Sequence, residues 1–288
     1  MESSLVFRTK DYNRKVTEEV FDYYRCLSCG IVFLNPVPSD LGKYYPSGYH
    51  LPPSTRGDME KMASRERYKI DIVKEQISGG RLLEIGPSWG AFCHLAKNAG
   101  FDIDAIEMDP ACCLFLTDIV KVKAHHGNEI LPILDRIEPY DVAALWHVVE
   151  HLPNPLNILR TVSDKLKPGG ILIVAAPNPD SWQFKVQKKR WHHLDAPRHV
   201  QLIPPHTLLR QIERFNMRTV YITTRDPGSL RLNITGWQFL LANLSGNALV
   251  RKALHTLGTL LGMSLSSFER AEGCGSAYTA LFRKEVLK

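Results

Sequence analysis

Leu82-Leu83-Glu84-Ile85-Gly86-Pro87-Ser88-Trp89-Gly90 is an apolar run that ends in an acid and two spaced glycines. Leucine and isoleucine in close succession suit a strand buried on both faces of a parallel sheet. Gly86 permits a tight reversal, Gly90 permits close packing of a following helix, and the start of that helix offers unpaired N–H groups to a ligand. The stretch therefore predicts a strand turning into a helix at a nucleotide-type site. A dinucleotide fingerprint would place its second and third glycines where Ser88 and Cys93 stand, which argues against a pyrophosphate.

Glu84-x-Gly86-x-x-x-Gly90 resembles the first motif of the class I S-adenosylmethionine-dependent methyltransferases. In that family the acid sits near the methionine end of the cofactor and the glycines admit it. About twenty residues on, Asp102-Ile103-Asp104-Ala105-Ile106-Glu107 reads as a second strand ending in an acid, suited to accept both ribose hydroxyls. The resemblance places Glu84, Gly86 and Gly90 at the methionine and ribose, Glu107 on the ribose hydroxyls and Met108 against the adenine. Asn128 stands where the family often has an aspartate near the adenine amino group; an amide offers an oxygen there but no charge.

The chain then alternates: strand 82–86, helix 89–99, strand 102–107, helix 110–120, strand 121–125, helix 128–136, strand 140–146, helix 155–166 and strand 170–176. Such alternation predicts an α/β, doubly wound parallel sheet. Helix 205–215 and strand 218–224 follow, and Ala277 to Phe282 forms a seventh strand that the resembled family inserts antiparallel between the fifth and sixth. Ahead of the core, apolar residues at helical spacing from Met59 to Ile77 predict one helix stopped by Ser78-Gly79-Gly80.

At 288 residues, 44% apolar and 23% charged, the chain can bury a large α/β core plus an appendage. A net charge of +6, scattered except for Lys185 to Arg190, does not call for nucleic acid. No signal peptide or transmembrane-length apolar run is evident, so a cytoplasmic protein is expected. Six cysteines without a disulfide spacing suggest reduced, packed thiols at Cys93, Cys112, Cys113 and Cys274.

Residues 1–57 read as an N-terminal module and linker, and 58–288 as the methyltransferase domain. Cys26-Leu27-Ser28-Cys29-Gly30 is half of a zinc ribbon, whereas zinc takes four ligands. The segment resembles the N-terminal module of a group of methyltransferases in which another C-x-x-C pair comes first. Cys26 and Cys29 are thus candidate ligands of a partial, structural zinc site in a zinc-ribbon remnant. Between Asn35 and Gly57, prolines, tyrosines and glycines predict a loop-rich linker over the cofactor site. Residues 226–275 form a helical insertion before the last strand. Its apolar stretches around Trp237 and Leu257, with Arg251 and Lys252 between, suit a lid, a dimer contact or a membrane-surface hairpin, with the first two preferred.

Methyl transfer from a sulfonium needs an acceptor held in line and, where its proton is tightly held, a base. His147-Val148-Val149-Glu150-His151 falls at the carboxyl end of the fourth strand, where open α/β sheets bind ligands. It resembles the family's motif there, and Glu150-His151 recurs in ubiquinone-biosynthesis O-methyltransferases. His147 and His151 are candidate catalytic residues; with Glu150 they could alternatively present a metal. Trp191-His192-His193-Leu194-Asp195-Ala196-Pro197-Arg198-His199 is the other dense polar cluster, expected as an exposed loop over the acceptor. His199 is a third catalytic candidate there, with His193 and Arg198 as substrate-side residues. Resembled relatives act on sugars, which predicts a saccharide or nucleotide-sugar hydroxyl as acceptor. A quinone or lipid is the alternative, and a non-catalytic cofactor-binding subunit is the reading from another class.

Overall fold

The computed structural model describes residues 2–45, 52–53 and 55–286. In chain order the strands are Ser3–Thr9 (β1), Phe21–Cys26 (β2), Val32–Leu34 (β3), Gly80–Ile85 (β4), Phe101–Glu107 (β5) and Lys123–His126 (β6). Tyr140–Trp146 (β7), Leu166–Pro177 (β8), Gln201–Leu202 (β9), Met217–Thr223 (β10) and Ala277–Lys284 (β11) follow. The helices are Arg56–Arg65 (α1), Arg67–Lys74 (α2), Ala91–Asn98 (α3), Pro110–Phe115 (α4), Ile130–Leu134 (α5) and Pro155–Lys165 (α6). They continue with Trp182–Gln187 (α7), Pro205–Glu213 (α8), Pro227–Ala242 (α9) and Ala248–Glu269 (α10).

Seven strands form one sheet in the order β10-β11-β8-β7-β4-β5-β6. The strands from β4 to β8 pair in parallel, whereas β11 lies antiparallel between β8 and β10. This is the seven-stranded, doubly wound arrangement expected, including the inserted last strand. Because the central strands are covered on both faces, their residues are apolar without alternation: Val142 to Leu145 are all fully buried. One apolar layer is built on Leu83, Ile85 and Leu145, the other on Leu82, Val142 and Ile173. Strand order reverses at the β4/β7 boundary, where ligands bind in such sheets.

Three elements differ from expectation. The helix predicted over 59–77 is two helices, because Glu66 leaves helical geometry (φ −101°, ψ 4°). Thr55 starts the first with a capping box to Asp58. The helix predicted to 120 ends as α at Phe115 and closes with one π turn, Leu116–Val120. Most consequential is the N-terminal segment. β1, β2 and β3 form an antiparallel meander whose fourth strand is β9, from far along the chain. Tyr23, Val32 and Leu34 share one apolar cluster with Trp191, Leu194 and Leu202. The 191–202 segment is therefore clamped beneath the N-terminal sheet. Of the linker expected over 35–57, residues 46–51 and 54 lie outside the described residues.

Candidate active site

The turn after β4 is built by backbone conformation. Gly86 (φ +69°), Ser88 (φ +52°) and Gly90 (φ +74°) alternate with residues of negative φ. A Cβ at Gly86 would sit 2.7 Å from Val148 Cγ2, and one at Gly90 would sit 2.4 Å from Leu116 Cδ2. Glycine is needed at both positions for space as well as for φ. Val148 follows β7, so the ligand turn and the His147 loop are in direct contact across the switch point.

Two acids flank this turn, as expected. Glu84 is buried and accepts a hydrogen bond from Cys93 Sγ at 2.8 Å. Burial raises its pKa to about 7, so a cationic group brought beside it would restore its charge. Glu107 is 7% exposed; its Oε2 accepts from Ser88 N, and its Oε1 from Met108 N and Asp109 N. Burial raises the Glu107 pKa, against the pull of those three N–H groups. Met108, 55% exposed, and exposed Asn128 lie at the same sheet edge, beyond β5 and β6. Glu107→Ala should weaken S-adenosylhomocysteine binding by about 1–3 kcal/mol, the loss of a charge-assisted acceptor. Isothermal titration of the folded variant checks this, and unchanged affinity would refute a ribose role.

On the other side of the switch point three histidines surround one acid, Glu150, and a fourth, His193, lies against His147. His147 has φ +57° and donates its backbone N–H to Ala175 O, which turns the chain sharply out of β7. Its ring lies parallel to that of His193, with centroids 6.5 Å apart, and its Nδ1 is 3.5 Å from Glu150 Oε1. A carboxylate only accepts, so the tautomer that would pair with Glu150 has its proton on Nδ1 and its lone pair on Nε2. The His147 side chain is 32% exposed whereas that of Glu150 is 1% exposed. Burial alone would raise the Glu150 pKa, but the close approach of His147, with His199 and His151 nearby, holds it below the usual value.

His151 and His199 pack edge to face at 4.5 Å behind this pair. His151 Nδ1 lies 3.1 Å from Arg198 O and 3.0 Å from Tyr45 Oη, and His199 Nδ1 lies 2.8 Å from His193 O. Carbonyl oxygens accept, so both Nδ1 atoms are protonated and both Nε2 atoms offer lone pairs. Ligand atoms of Glu150, His151 and His199 lie within 4.8 Å of one another. Burial lowers the His151 pKa to about 4 and drives that of His193 well below the ordinary value. Both rings are neutral near neutral pH.

The 191–199 segment, expected to be an exposed loop, is instead largely buried: Trp191, His193, Leu194, Asp195, Arg198 and His199 are all under the N-terminal sheet or behind Glu150. The substrate role expected for Arg198 does not fit its place. It is 0% exposed, and its five N–H donors all go to protein oxygens: Nε to Asp195, Nη1 to Asp11 and Tyr44 O, and Nη2 to Asp11 and Asp195. Among the expected acceptor-side residues, His193 and His199 do border the site, through His147 and His151.

Cys26 ends β2 and Cys29 lies on the turn to β3, and neither joins the group formed by Glu150, His151 and His199. Hydrogen bonding from Ser28 is the largest of the effects that lower the Cys26 thiol to about 7. Among the described residues Glu150, His151 and His199 are the one group of three potential metal ligands, so no third donor joins the cysteine pair. Two thiols do not satisfy tetrahedral zinc. Metal analysis of the purified chain should show substoichiometric zinc at Cys26 and Cys29. A full equivalent that disappears in Cys26→Ser would show a complete site.

Asp11, Tyr45 and the surroundings of Glu150 escaped sequence reasoning. Asp11 meets Arg198 across 187 positions of chain, and no local pattern marks it. Glu150 was visible beside His151, but its burial between histidines was not.

The Methyltransferase domain family model matches residues 60–222, more than half of the chain. A ubiquinone biosynthesis O-methyltransferase of Xylella fastidiosa is 27% identical over 156 residues, 49% of this chain and 59% of that protein. One from Xanthomonas campestris is 25% identical over 136 residues, 42% of this chain and 54% of that protein. The chain thus spans little more than half the length of these relatives. Among solved structures, an S-adenosylmethionine-dependent methyltransferase from Archaeoglobus fulgidus aligns with TM-score 0.52 at 20% identity, covering 78% of this chain and 94% of that one. A cyclopropane synthase from Mycobacterium tuberculosis aligns with TM-score 0.53 at 14% identity, covering 76% and 84%. With the sheet order in agreement, the chain belongs to the methyltransferase-domain family and carries its sheet in a Rossmann-like form.

Proposed function

We propose that this methyltransferase moves the methyl group of S-adenosylmethionine to a hydroxyl oxygen, with His147 as the base. The observation that carries the reading is the His147–Glu150 pair at the carboxyl end of β7, packed through Val148 against the Gly86 turn. In the reaction the S–CH₃ bond breaks as the O–CH₃ bond forms, the sulfonium leaves as a neutral thioether, and the hydroxyl proton passes to His147 Nε2. Glu150 positions the ring and stabilises the imidazolium that results. Glu84, Gly86, Gly90 and Glu107 hold the cofactor, and Met108 and Asn128 border its adenine end.

For the acceptor, a phenolic or quinol-type hydroxyl now ranks ahead of the saccharide expected from sequence. The curated relatives are named for ubiquinone biosynthesis. A phenol, with a pKa of about 10 like that of tyrosine, is also better matched to an imidazole base than a sugar hydroxyl. Release of S-adenosylhomocysteine with a panel of catechols and quinols, set against monosaccharides and nucleotide sugars, tests this. Turnover confined to the sugars would restore the saccharide. Cofactor binding without turnover on either panel, or on lipids, would favour a non-catalytic subunit.

A second reading rests on the lone pairs that converge on Glu150, whose two oxygens have no hydrogen-bond donor among the described residues. Carboxylate and imidazole together suit a divalent cation, which would acidify an acceptor hydroxyl bound to it. The test is metal analysis and activity after chelation. Full activity in the metal-free protein would exclude this reading and leave His147 as the base.

A further inference from the structure

α9 and α10 form an antiparallel hairpin with two unlike sides. On the inner side, Gly258 and Gly262 bring α10 against α9. A Cβ at Gly258 would lie 2.6 Å from Gln238 Cα, and one at Gly262 would lie 3.0 Å from Ile234 Cα. Glu269 fixes the end of α10, accepting from Gln183 Nε2 at 2.7 Å and from Trp237 Nε1 at 3.0 Å. The hairpin is thus a fixed element of the fold.

The outer side of α10 is rich in exposed apolar side chains, with Phe268 at its end also stacked on Trp182. Leu249, Val250, Leu257, Leu260, Met263 and Phe268 are between 46% and 81% exposed. At 3.6 residues per turn they fall on one face, opposite Gly258 and Gly262. From Pro227 to Phe268 the chain carries no aspartate or glutamate, whereas Arg231, Arg251 and Lys252 are cationic. Arg231 is engaged with Glu66 at 3.6 Å. Arg251 and Lys252 are exposed near the start of α10, Lys252 beside the apolar face and Arg251 on the side of Gly258, with no ion pair among the described residues. An apolar face on a hairpin whose exposed charges are all of one sign is complementary to an anionic lipid surface, which takes the apolar side chains below the headgroups and the cations among them. Among the described residues no helix is long and apolar enough to cross a membrane, so the contact proposed is a peripheral one.

We propose that the α9/α10 hairpin docks the protein on an anionic lipid bilayer through the outer face of α10. The docked element reaches the active site directly: Phe239 of α9 packs on His192 at 4.2 Å, His192 lies beside His193, and His193 stacks on His147. An acceptor dissolved in the bilayer would meet the enzyme at this end of the sheet. The docking itself does not depend on which acceptor is used.

The test is flotation of the full chain with vesicles of phosphatidylcholine alone or mixed with phosphatidylglycerol. The protein should float with the anionic vesicles, less so as salt is raised. Leu257→Glu/Leu260→Glu, at sites more than half exposed, should cut the floated fraction about tenfold while S-adenosylhomocysteine binding is kept. Arg251→Glu/Lys252→Glu should remove the preference for anionic vesicles. Absence of flotation with either vesicle would overturn the proposal, as would undiminished flotation of both variants. A dimer in light scattering that Leu257→Glu/Leu260→Glu breaks, in a chain that ignores vesicles, would assign the face to a second copy instead.

Discussion

Arg198→Ala should cost the protein about 3–5 kcal/mol and detach the N-terminal sheet from the catalytic domain, because it leaves two buried carboxylates without their cation. Asp11 comes from the turn after β1, Asp195 from the segment beneath it, and one guanidinium is bidentate to both. Burial would raise the pKa of each acid, yet the Arg198 hydrogen bonds, aided at Asp11 by the N–H groups of Arg14 and Val16, hold both below the usual value. A carboxylate with a depressed folded pKa adds stability above its unfolded pKa, about 3.9, and loses it as pH falls through the folded value. Without Arg198 the sign reverses, since the buried acids would then hold their protons more tightly than the unfolded chain does. The deficit of Arg198→Ala relative to the parent should therefore be largest near neutral pH and shrink as pH falls through about 4. Urea titrations of both proteins across that range measure it. A deficit independent of pH, or loss of turnover without loss of stability, would return Arg198 to the acceptor side.

Legibility from sequence followed the range of the interactions. The Leu82–Gly90 turn was readable because strand, turn and helix start are consecutive, and each residue type has a local reason to stand where it does. The position of β11 followed from family resemblance, and the sheet order bears it out. The 191–199 segment misled because its composition is that of an exposed loop. Its burial depends on Tyr23, Val32 and Asp11, residues more than 150 positions away, and on carboxylates that neutralise Arg198. β9, two residues long, was invisible because its pairing with Val32 and Phe33 is all that makes it a strand. The break at Glu66 was equally hidden: the apolar spacing continues through it, and only the backbone leaves the helix.

The second large effect is expected at His147, where replacement by alanine should lower kcat by ~10²–10⁴-fold with cofactor affinity nearly unchanged, the usual weight of a positioned base. Of the four histidines at this site, His147 has the properties a base requires. It stands at the switch point, is partly exposed, and keeps its Nε2 lone pair for substrate while Nδ1 faces the carboxylate. His151 is held near a pKa of about 4 and spends Nδ1 on the Arg198 carbonyl, and His193 is neutral and 5% exposed. Glu150→Gln keeps the shape but takes away the charge that stabilises the imidazolium. It should reduce kcat by less than His147→Ala, and the double variant should be little worse than His147→Ala alone, since the two act as a unit. His199→Ala should cost less than either if the carboxylate and His147 alone move the proton. Should His199→Ala instead match His147→Ala, with kcat dependent on added divalent ion, the Glu150–His151–His199 group is the reacting centre and His147 only borders it.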